Sequence, residues 1–262
     1  MQAAFPTRDD RVFALFEGLP GAHSMIEAAR AGMGRAWTDS PLHPRSALVA
    51  VGDFLYCGGK PGASTAHLLR VALSSEKRDW LVYAPGDWKR ALDRVTDSTA
   101  STRFAFDHAV QPEDAHLRRM LDCAPEGVSF QQIAGPMISQ CRQEEWSRDF
   151  VSLFTDEQFE RDGLGVLVTL EGQPVSGAGS YVAYPGGIEV QVQTKVGFEH
   201  RGLATLASAK LILMAHERGL IATWDAANEI SARMAGKLGY RLTGTYTVYE
   251  TKRENAYADR DL

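Results

Sequence analysis

The stretch that decides the fold runs from Ile188 to Thr205 and is I-E-V-Q-V-Q-T-K-V-G-F-E-H-R-G-L-A-T. Its first seven residues alternate apolar and polar side chains, a pattern typical of a half-buried strand. After a short loop, residues 202–218 are apolar nearly all round, as in a buried helix, and Gly219 follows as a C-terminal glycine should. The segment therefore predicts a strand that passes through a loop directly into a helix.

This strand–loop–helix junction has features that suit a diphosphate. Gly202 lets the backbone approach an anion closely, and the free N–H groups and dipole of the first helical turn favour negative charge there. Arg201 can add a charge-assisted hydrogen bond to a phosphate. An ordinary junction without a ligand explains the same residues. The two common nucleotide fingerprints, G-x-G-x-x-G after a strand and G-x-x-x-x-G-K-[ST], do not occur, which disfavours ordinary dinucleotide or P-loop binding.

A second strand–helix junction follows, with the sequence W-D-A-A-N-E-I-S-A-R-M-A-G-K-L-G-Y from Trp224 to Tyr240. Together, R-G-L-A at a helix entry, an intervening strand, and N-x-x-S followed by K-L-G-Y resemble the two acyl-CoA-binding motifs of the GNAT superfamily of N-acetyltransferases. The common pattern of the first motif is Q/R-x-x-G-x-G/A, and here Glu199 replaces its leading basic residue. The backbone amides on which the superfamily relies do not depend on that side chain.

The resemblance extends to the whole chain. The run S-A-L-V-A-V-G-D-F-L-Y-C-G-G, which starts at Ser46, and the C-terminal motifs are similar to a bacterial GNAT family with an added N-terminal domain, which includes zwittermicin-resistance-like proteins. This implies an α/β (α+β) protein: a C-terminal GNAT fold, with a mixed and mostly antiparallel sheet flanked by helices, and an N-terminal α/β domain. We expect residues 1–124 to form the accessory domain, which shapes the acceptor cleft, and residues 125–262 to form the acetyltransferase domain, because A-P-E-G at 124–127 interrupts the pattern.

Periodicity predicts the individual elements. Ser46 to Cys57 is expected to be a strand, residues 165–170 and 174–184 an antiparallel hairpin, and residues 228–238 a helix that stops at Gly239. The polar tail from Thr251 to Leu262 is expected to be peripheral.

The resemblance implies acetyl-CoA as acyl donor and also implies which residues hold it. The predicted strand lends backbone groups of Thr194 and Val196 to the acetyl carbonyl and pantetheine, the diphosphate sits on amides of the following loop, Asn228 bonds the pantetheine arm and Ser231 lies beside the thiol. The full set of expected cofactor-binding residues is Thr194, Lys195, Val196, Glu199, His200, Arg201, Gly202, Leu203, Ala204, Thr205, Asn228 and Ser231.

For catalysis, the resemblance favours Glu189 as the general base, because many relatives carry a carboxylate on this strand just before the acetyl site. An exposed polar strand face, shared with Gln191 and Gln193, is the alternative. Many relatives have a tyrosine that serves as the general acid at the position where this chain has Ala235. Three alternatives follow. The thiolate of CoA is protonated by Ser231, our catalytic candidate, or by Tyr246 or Tyr249; CoA leaves as the thiolate anion; or the protein binds acetyl-CoA without transferring the acetyl group.

Composition excludes several other classes. The 262 residues contain 28 Lys and Arg against 33 Asp and Glu, for a net charge of -5, which disfavours nucleic-acid binding. The longest apolar stretch, Leu203 to Ala215, is too short for a bilayer and contains Lys210, so we expect no membrane insertion. The acidic N-terminus lacks the features of a signal peptide.

Cysteine and histidine usage disfavours a metal site. The three cysteines are far apart and form no C-x-x-C pair, and they are expected to be reduced thiols in a cytoplasmic protein. The histidines lack ligand spacing, and we expect no metal.

The sequence thus predicts an acetyl-CoA-dependent N-acetyltransferase that acts on a primary amine of a small molecule, with an antibiotic or another secondary metabolite as substrate by family analogy. The alternatives are acetylation of a protein or peptide, and a catalytically weak CoA-binding regulatory module. The superfamily makes a homodimer plausible.

Overall fold

The computed structural model describes residues 5–76 and 78–252, so most of the predicted polar tail lies outside the described residues. In this part of the chain, thirteen strands form two sheets. Numbered along the chain, they are β1 (Phe5–Pro6), β2 (Arg35–Thr38), β3 (Ser46–Val51), β4 (Phe54–Gly59), β5 (Trp80–Tyr83), β6 (Ser98–Phe106), β7 (Val128–Gln132), β8 (Gly165–Leu170), β9 (Gln173–Tyr184), β10 (Gly187–Thr194), β11 (Ile221–Thr223), β12 (Asp225–Ala226) and β13 (Leu242–Thr251).

Nine α-helices and two short 3-10 helices connect the strands of the described ranges. The α-helices are α1 (Asp10–Phe13), α2 (His23–Arg30), α3 (Thr65–Leu73), α4 (Asp87–Leu92), α5 (Asp114–Asp122), α6 (Pro136–Gln143), α7 (Asp156–Asp162), α8 (Leu203–Glu217) and α9 (Glu229–Leu238), and the 3-10 helices are Ala14–Phe16 and Arg148–Phe150. None of the helices in the described ranges combines the length and apolar character needed to cross a bilayer.

The larger sheet has eight strands in the order β1-β2-β3-β4-β5-β13-β6-β12. Its neighbours are antiparallel, except β4 and β5, which are parallel. β13, from the end of the chain, lies between β5 and β6, so this sheet draws strands from both sides of position 124. The domain division at that position stays a prediction, whereas the mixed, mostly antiparallel α/β fold is confirmed.

The smaller sheet has the order β11-β10-β9-β8-β7 and is antiparallel except for the β10/β11 pair. The predicted hairpin is confirmed as β8 and β9, with Glu171 and Gly172 at positive φ in its turn. On one face of this sheet, α8 packs its apolar side chains against Ile188 and Val190. On the other face, Val182 belongs to a core cluster with Met25 of α2. Helices from both parts of the chain therefore cover this sheet.

One predicted strand is wrong. Residues 46–57 form not one strand but the antiparallel hairpin β3/β4, which turns at Gly52 and Asp53, with Gly52 at φ 58°. Both strands are almost wholly buried, so apolar residues run through them without the alternation that separates two half-buried strands. The Gly-Asp pair was the only local sign of the turn.

The two sheets meet where β10 and β11 diverge. The strands pair only from Gly187 to Glu189, opposite Ile221 to Thr223. Beyond that, the chain enters β12, which pairs with β6 of the larger sheet, while β10 continues along β9 after a register irregularity between Glu189 and Val190. The resulting gap between β10 and β12 is the strand divergence, and Glu189 lies at its narrow end.

Candidate active site

Glu189 is buried at the strand divergence, with 5% of its surface exposed. Its Oε2 accepts a hydrogen bond from Ser24 Oγ of α2 at 2.6 Å, and Thr223 Oγ1 of β11 also contacts this oxygen. Its Oε1 has no hydrogen-bond partner within the described residues. The interpretation of an exposed polar strand face is therefore wrong for Glu189, because α2 covers that face of β10. Gln191 is half-buried and Gln193 is exposed.

The surroundings of Glu189 raise the pKa of its carboxyl to about 7. Removal from water disfavours the ionised form, and the nearby negative charge of Asp225 acts in the same direction. The hydrogen bonds from Ser24, from Thr223 and from the backbone of Asp225 oppose both effects on the pKa, because they stabilise the carboxylate. A carboxyl group with such a pKa can accept a proton near neutral pH and release it again.

A buried ion pair lies beside Glu189. Arg103 Nε of β6 donates to Asp225 Oδ1 of β12 at 2.5 Å, and the Tyr246 hydroxyl of β13 donates to Asp225 Oδ2 at 2.7 Å. The Arg103 guanidinium also lies over the ring of Phe54, 4.8 Å from its centroid. Burial raises the pKa of Asp225, and the ion pair with Arg103 opposes that shift. This network fixes β12 against the larger sheet and so fixes the geometry of the divergence.

Two cavities meet at Glu189. One, of about 470 Å³, includes both edges of the divergence and is lined by Asp53, Asp149, Tyr181, Glu189, Gln191 and Asp225, among others; we call it the Tyr181 cavity. The other, of about 460 Å³, is lined by His23, Ser24, Glu27, His108, Glu189 and Thr223, among others; we call it the His23 cavity. In the Tyr181 cavity, the Tyr181 hydroxyl donates to Asp53.

The loop between β10 and α8 presents backbone donors. Gly202 caps α8 in the left-handed region at φ 76°, and the space beside its Cα is open. His200 also has positive φ. The Glu199 carboxylate accepts from the backbone N–H of Gly197 at 2.7 Å, and backbone donors of this loop hold its pKa below the usual range. The loop thus already binds an anionic group, its own side chain, and fits a diphosphate.

The other residues expected to bind the cofactor line the same edge. Thr194 pairs with Ser176 of β9, and the Lys195 N–H donates to Val175. Val196 is 87% exposed, and Ile230, in the first turn of α9, is 65% exposed. In the first turn of α8, Leu203 is buried and Ala204 and Thr205 are half-buried, whereas Glu199, His200 and Arg201 precede it on the surface.

The N-x-x-S motif has a structural role of its own. The Asn228 side chain caps α9 by accepting from the Ser231 N–H at 2.9 Å. Ser231 Oγ accepts from the Trp224 indole N–H at 3.2 Å. Both side chains retain donors, because the Asn228 amide nitrogen has no partner among the described residues and the serine oxygen uses only a lone pair with Trp224.

The tyrosine candidates for the general acid are tied to other partners. The Tyr246 hydroxyl is bonded to Asp225, and burial raises its pKa well above the ordinary value. Tyr249 lies between β5 and β6, with Lys89 Nζ 4.8 Å from its ring centroid. Ala235 is fully buried in the core. Of the three candidates, Ser231 is the one that lies in the N-x-x-S motif, and its hydroxyl accepts from Trp224 without using its own proton. No group of three or more His, Cys, Asp or Glu side chains in the described ranges is placed to hold a metal ion.

The family model described as GNAT acetyltransferase matches residues 14–249. The chain belongs to the GNAT acetyltransferase family. Among relatives of this GNAT chain, an uncharacterized N-acetyltransferase, YdfB of Bacillus subtilis (strain 168), is 25% identical over 232 residues, covering 82% of this chain and 85% of YdfB. The chain is accordingly an acyltransferase of the N-acetyltransferase class.

Solved GNAT structures have the same fold. A GCN5-related N-acetyltransferase-like protein from Streptococcus suis is 32% identical, with a TM-score of 0.82, and the match covers 94% of this chain and 98% of that one. A GCN5-related N-acetyltransferase from Kribbella flavida is 20% identical, with a TM-score of 0.55 and coverage of 82% and 89%. The second likeness shows the fold alone.

Several residues of this GNAT site were not among the residues predicted from the sequence. Ser24, Arg103, Thr223 and Asp225 surround Glu189, but each is distant from it in sequence. The first three lie outside the quoted motifs, and Asp225 lies in the W-D-A-A-N stretch without a role assigned to it there. A buried pair such as Arg103 and Asp225, 122 positions apart, leaves no signal in one sequence. The only local hint was Asp225 itself, a charged residue directly after a predicted buried strand.

Proposed function

We propose that this GNAT chain transfers an acetyl group from acetyl-CoA to a primary amine of a small molecule, with Glu189 as the general base. The observation that carries the proposal is the buried Glu189 carboxyl, which has an unpartnered Oε1 and a pKa of about 7 and lies at the strand divergence on the wall of the Tyr181 cavity. A base with this pKa can deprotonate an ammonium group at neutral pH and so create the nucleophile.

The acyl donor would lie along the open edge of β10. The backbone amides from Glu199 to Thr205 would hold its diphosphate, with Arg201 beside them, and Thr194, Lys195 and Val196 would contact the pantetheine from the strand and loop. Acetyl-CoA supplies the acetyl group as a thioester, whose carbonyl carbon is the electrophile. Asn228 would donate to the pantetheine amide, and Ser231 would place its hydroxyl near the sulfur.

The Tyr181 cavity suits a cationic acceptor. Its wall carries the carboxylates of Asp53, Asp149, Glu189 and Asp225 against two arginines, Arg78 and Arg103. Both arginines are already paired, Arg103 with Asp225 and Arg78 with Glu76. Asp53 and Asp149 lie close enough to Tyr181 that their charges raise the pKa of its hydroxyl. This excess of carboxylates would attract an amine as the ammonium ion and hold it near Glu189.

The reaction then needs little beyond positioning. Glu189 takes one proton from the bound ammonium, the neutral nitrogen attacks the thioester carbon, and the C–S electrons leave with the sulfur. The second proton of the adduct nitrogen goes to the thiolate, directly or through the Ser231 hydroxyl. Holding the two reactants side by side in the reacting geometry supplies much of the rate acceleration.

Thiol release with the full chain tests the proposal. Acetyl-CoA is offered with a panel of primary amines, including amine-bearing antibiotics, with a peptide that has a free N-terminus and a lysine, and with a tertiary amine as a matched non-acceptor. We expect release of CoA with at least one small primary amine, and an equal amount of its N-acetyl product by mass spectrometry. Release with the peptide alone would contradict the small-molecule substrate.

Thermal melting distinguishes an acetyltransferase without a suitable amine from a protein that does not bind CoA, and it identifies a CoA-binding module without transferase activity. A coenzyme at 100 times its Kd adds roughly 2.7 kcal/mol to the free energy of unfolding and raises Tm by several degrees. Acetyl-CoA and CoA should shift Tm, whereas NAD and ATP should not. A coenzyme shift without thiol release from any amine would assign the chain as a binding module.

A further inference from the structure

Ser24 connects the N-terminal part of the chain to the carboxylate at the strand divergence. It lies in the first turn of α2 and is 3% exposed, and its Oγ donates to Glu189 Oε2 at 2.6 Å. This contact spans 165 positions in the sequence. It is the direct hydrogen bond by which α2 contacts the proposed base.

The second hydroxyl at Glu189 has a competing acceptor. Thr223 Oγ1 lies within hydrogen-bonding distance of both Glu189 Oε2 and the Ile188 carbonyl oxygen, the latter at 2.9 Å. A hydroxyl has one proton, so Thr223 cannot donate fully to both oxygens. Ser24 is therefore the donor committed to Oε2, while Oε1 stays without a partner within the described residues.

The backbone before α2 is fixed against the same site. A Cβ atom at Gly21, whose φ is 67°, would lie 2.6 Å from Asp225 Oδ2 and 2.6 Å from the Tyr246 hydroxyl. Only glycine allows this approach at this φ. The backbone at the start of α2 thus lies directly against Asp225 and Tyr246, next to the contact between Ser24 and Glu189.

We propose that Ser24 is a positioning residue for Glu189: by holding Oε2, it directs the free Oε1 to the amine proton. This inference rests on the proposed function. In the step, one N–H bond of the ammonium breaks and its proton goes to Oε1, after which the nitrogen lone pair forms the C–N bond. As the adduct collapses, the C–S pair leaves with the sulfur and the second N–H proton of the nitrogen goes to that thiolate. Ser24 keeps its own proton throughout and acts only through Glu189.

Several titratable groups surround Glu189 besides Ser24. From the larger sheet these are Asp225, its partners Arg103 and Tyr246, and Tyr56; from β9 it is Tyr184, and from beyond α9 it is Tyr240. From α2 they are His23, Glu27 and Arg30, which line the His23 cavity. A substitution at Ser24 leaves all of them in place, so a change in the titration of Glu189 would report the lost hydrogen bond.

The test is the pH profile of the Ser24→Ala variant. A hydrogen bond to a carboxylate stabilises the charged form, and its loss raises the pKa of Glu189 by about one unit. We expect the acid limb of kcat/KM to move up by about one pH unit, with a roughly tenfold loss below the limb. On the high-pH plateau kcat/KM should stay below that of the wild type, because Oε1 is no longer directed, while the Tm shift caused by CoA should be unchanged. Ser24→Thr, which keeps the hydroxyl, should restore the wild-type limb.

Ser208→Ala is the matched control, because Ser208 is a fully buried helical serine whose hydroxyl has no partner among the described residues. Its acid limb should equal that of the wild type. An unshifted limb in Ser24→Ala, or an equal shift in Ser208→Ala, would overturn the inference.

A readout independent of activity separates this inference from the proposed reaction. NMR of protein labelled with ¹³C-carboxyl glutamate, with the Glu189 signal assigned by its loss in Glu189→Gln, gives the carboxyl pKa directly. A higher pKa in Ser24→Ala together with a lower high-pH plateau supports the positioning, and an unchanged pKa or a plateau equal to that of the wild type refutes it. If the pKa rises but the wild-type protein acetylates no amine, the reaction assignment fails while the contact between Ser24 and Glu189 stands.

Discussion

The two parts of the candidate site are built in opposite ways. The loop before α8 and the first turn of that helix consist of consecutive residues, 195–205, and present backbone N–H groups as their candidate binding groups. The strand divergence gathers side chains from five elements, α2, β6, β11, β12 and β13, around the buried Glu189. The first depends on local chain geometry, and the second depends on the whole fold. Substitutions should therefore separate coenzyme binding from catalysis.

The largest effect is expected at the strand divergence. Glu189→Gln keeps the size of the side chain but removes the base, and general base catalysis contributes about 10²–10⁴-fold. We expect kcat/KM to fall by that factor, while the Tm shift caused by CoA stays as in the wild type. Since the carboxylate is the active form, wild-type kcat/KM should fall tenfold for each pH unit below about 7, and the variant should lack that limb.

Glu145→Gln is the control for that variant, because Glu145 is 91% exposed on the surface. Its rate and pH profile should equal those of the wild type. If Glu189→Gln retains the wild-type kcat/KM, another group is the base, and the strand divergence is not the catalytic part of the site.

The same contrast explains what the sequence could predict. Gly202 and the strand before it predicted the loop–helix junction, because glycine, period-2 alternation and apolar helix spacing act over a few residues. Glu189 was singled out only through resemblance to the family, and its burial was missed. Alternation describes which residues share a strand face, not whether a distant helix covers that face. Here α2, more than 150 positions earlier, covers it.

Topology was the other feature that local patterns could not give. The predicted division at 124/125 treats the chain as two consecutive units, yet β13 pairs with β5 and β6, and β12 pairs with β6. The sequence of β13 does not indicate which strands lie beside it, because strand pairing is decided by long-range packing. The hairpin at Gly52 was missed for a related reason, because full burial of both strands removed the alternation.

A smaller effect is expected at the loop–helix junction. Gly202 and Gly219 flank α8, have φ of 76° and 71°, and have open space where a Cβ would lie. Alanine at either position is strained in the left-handed region by roughly 1–2 kcal/mol. Both variants should lower Tm by a similar amount. Gly202→Ala should also shift the loop amides and raise the KM for acetyl-CoA several-fold with little change in kcat, whereas Gly219→Ala should leave that KM unchanged. Equal KM values in the two variants would show that α8 does not bind the coenzyme through its first turn.

The smallest effect is expected at Glu199, where this chain departs from the motif. Its carboxylate accepts from the Gly197 N–H, and its lowered pKa keeps it ionised at neutral pH. If it competes with the diphosphate for loop donors, Glu199→Gln should lower the Kd for CoA by a few-fold at low ionic strength. Salt screens exposed charges, so the gain should shrink at high salt. Glu171→Gln, in the distant β8/β9 turn, should leave the Kd unchanged. A higher Kd in Glu199→Gln would mean that the carboxylate organises the loop for the coenzyme, and the junction would then depend on a side chain as the strand divergence does.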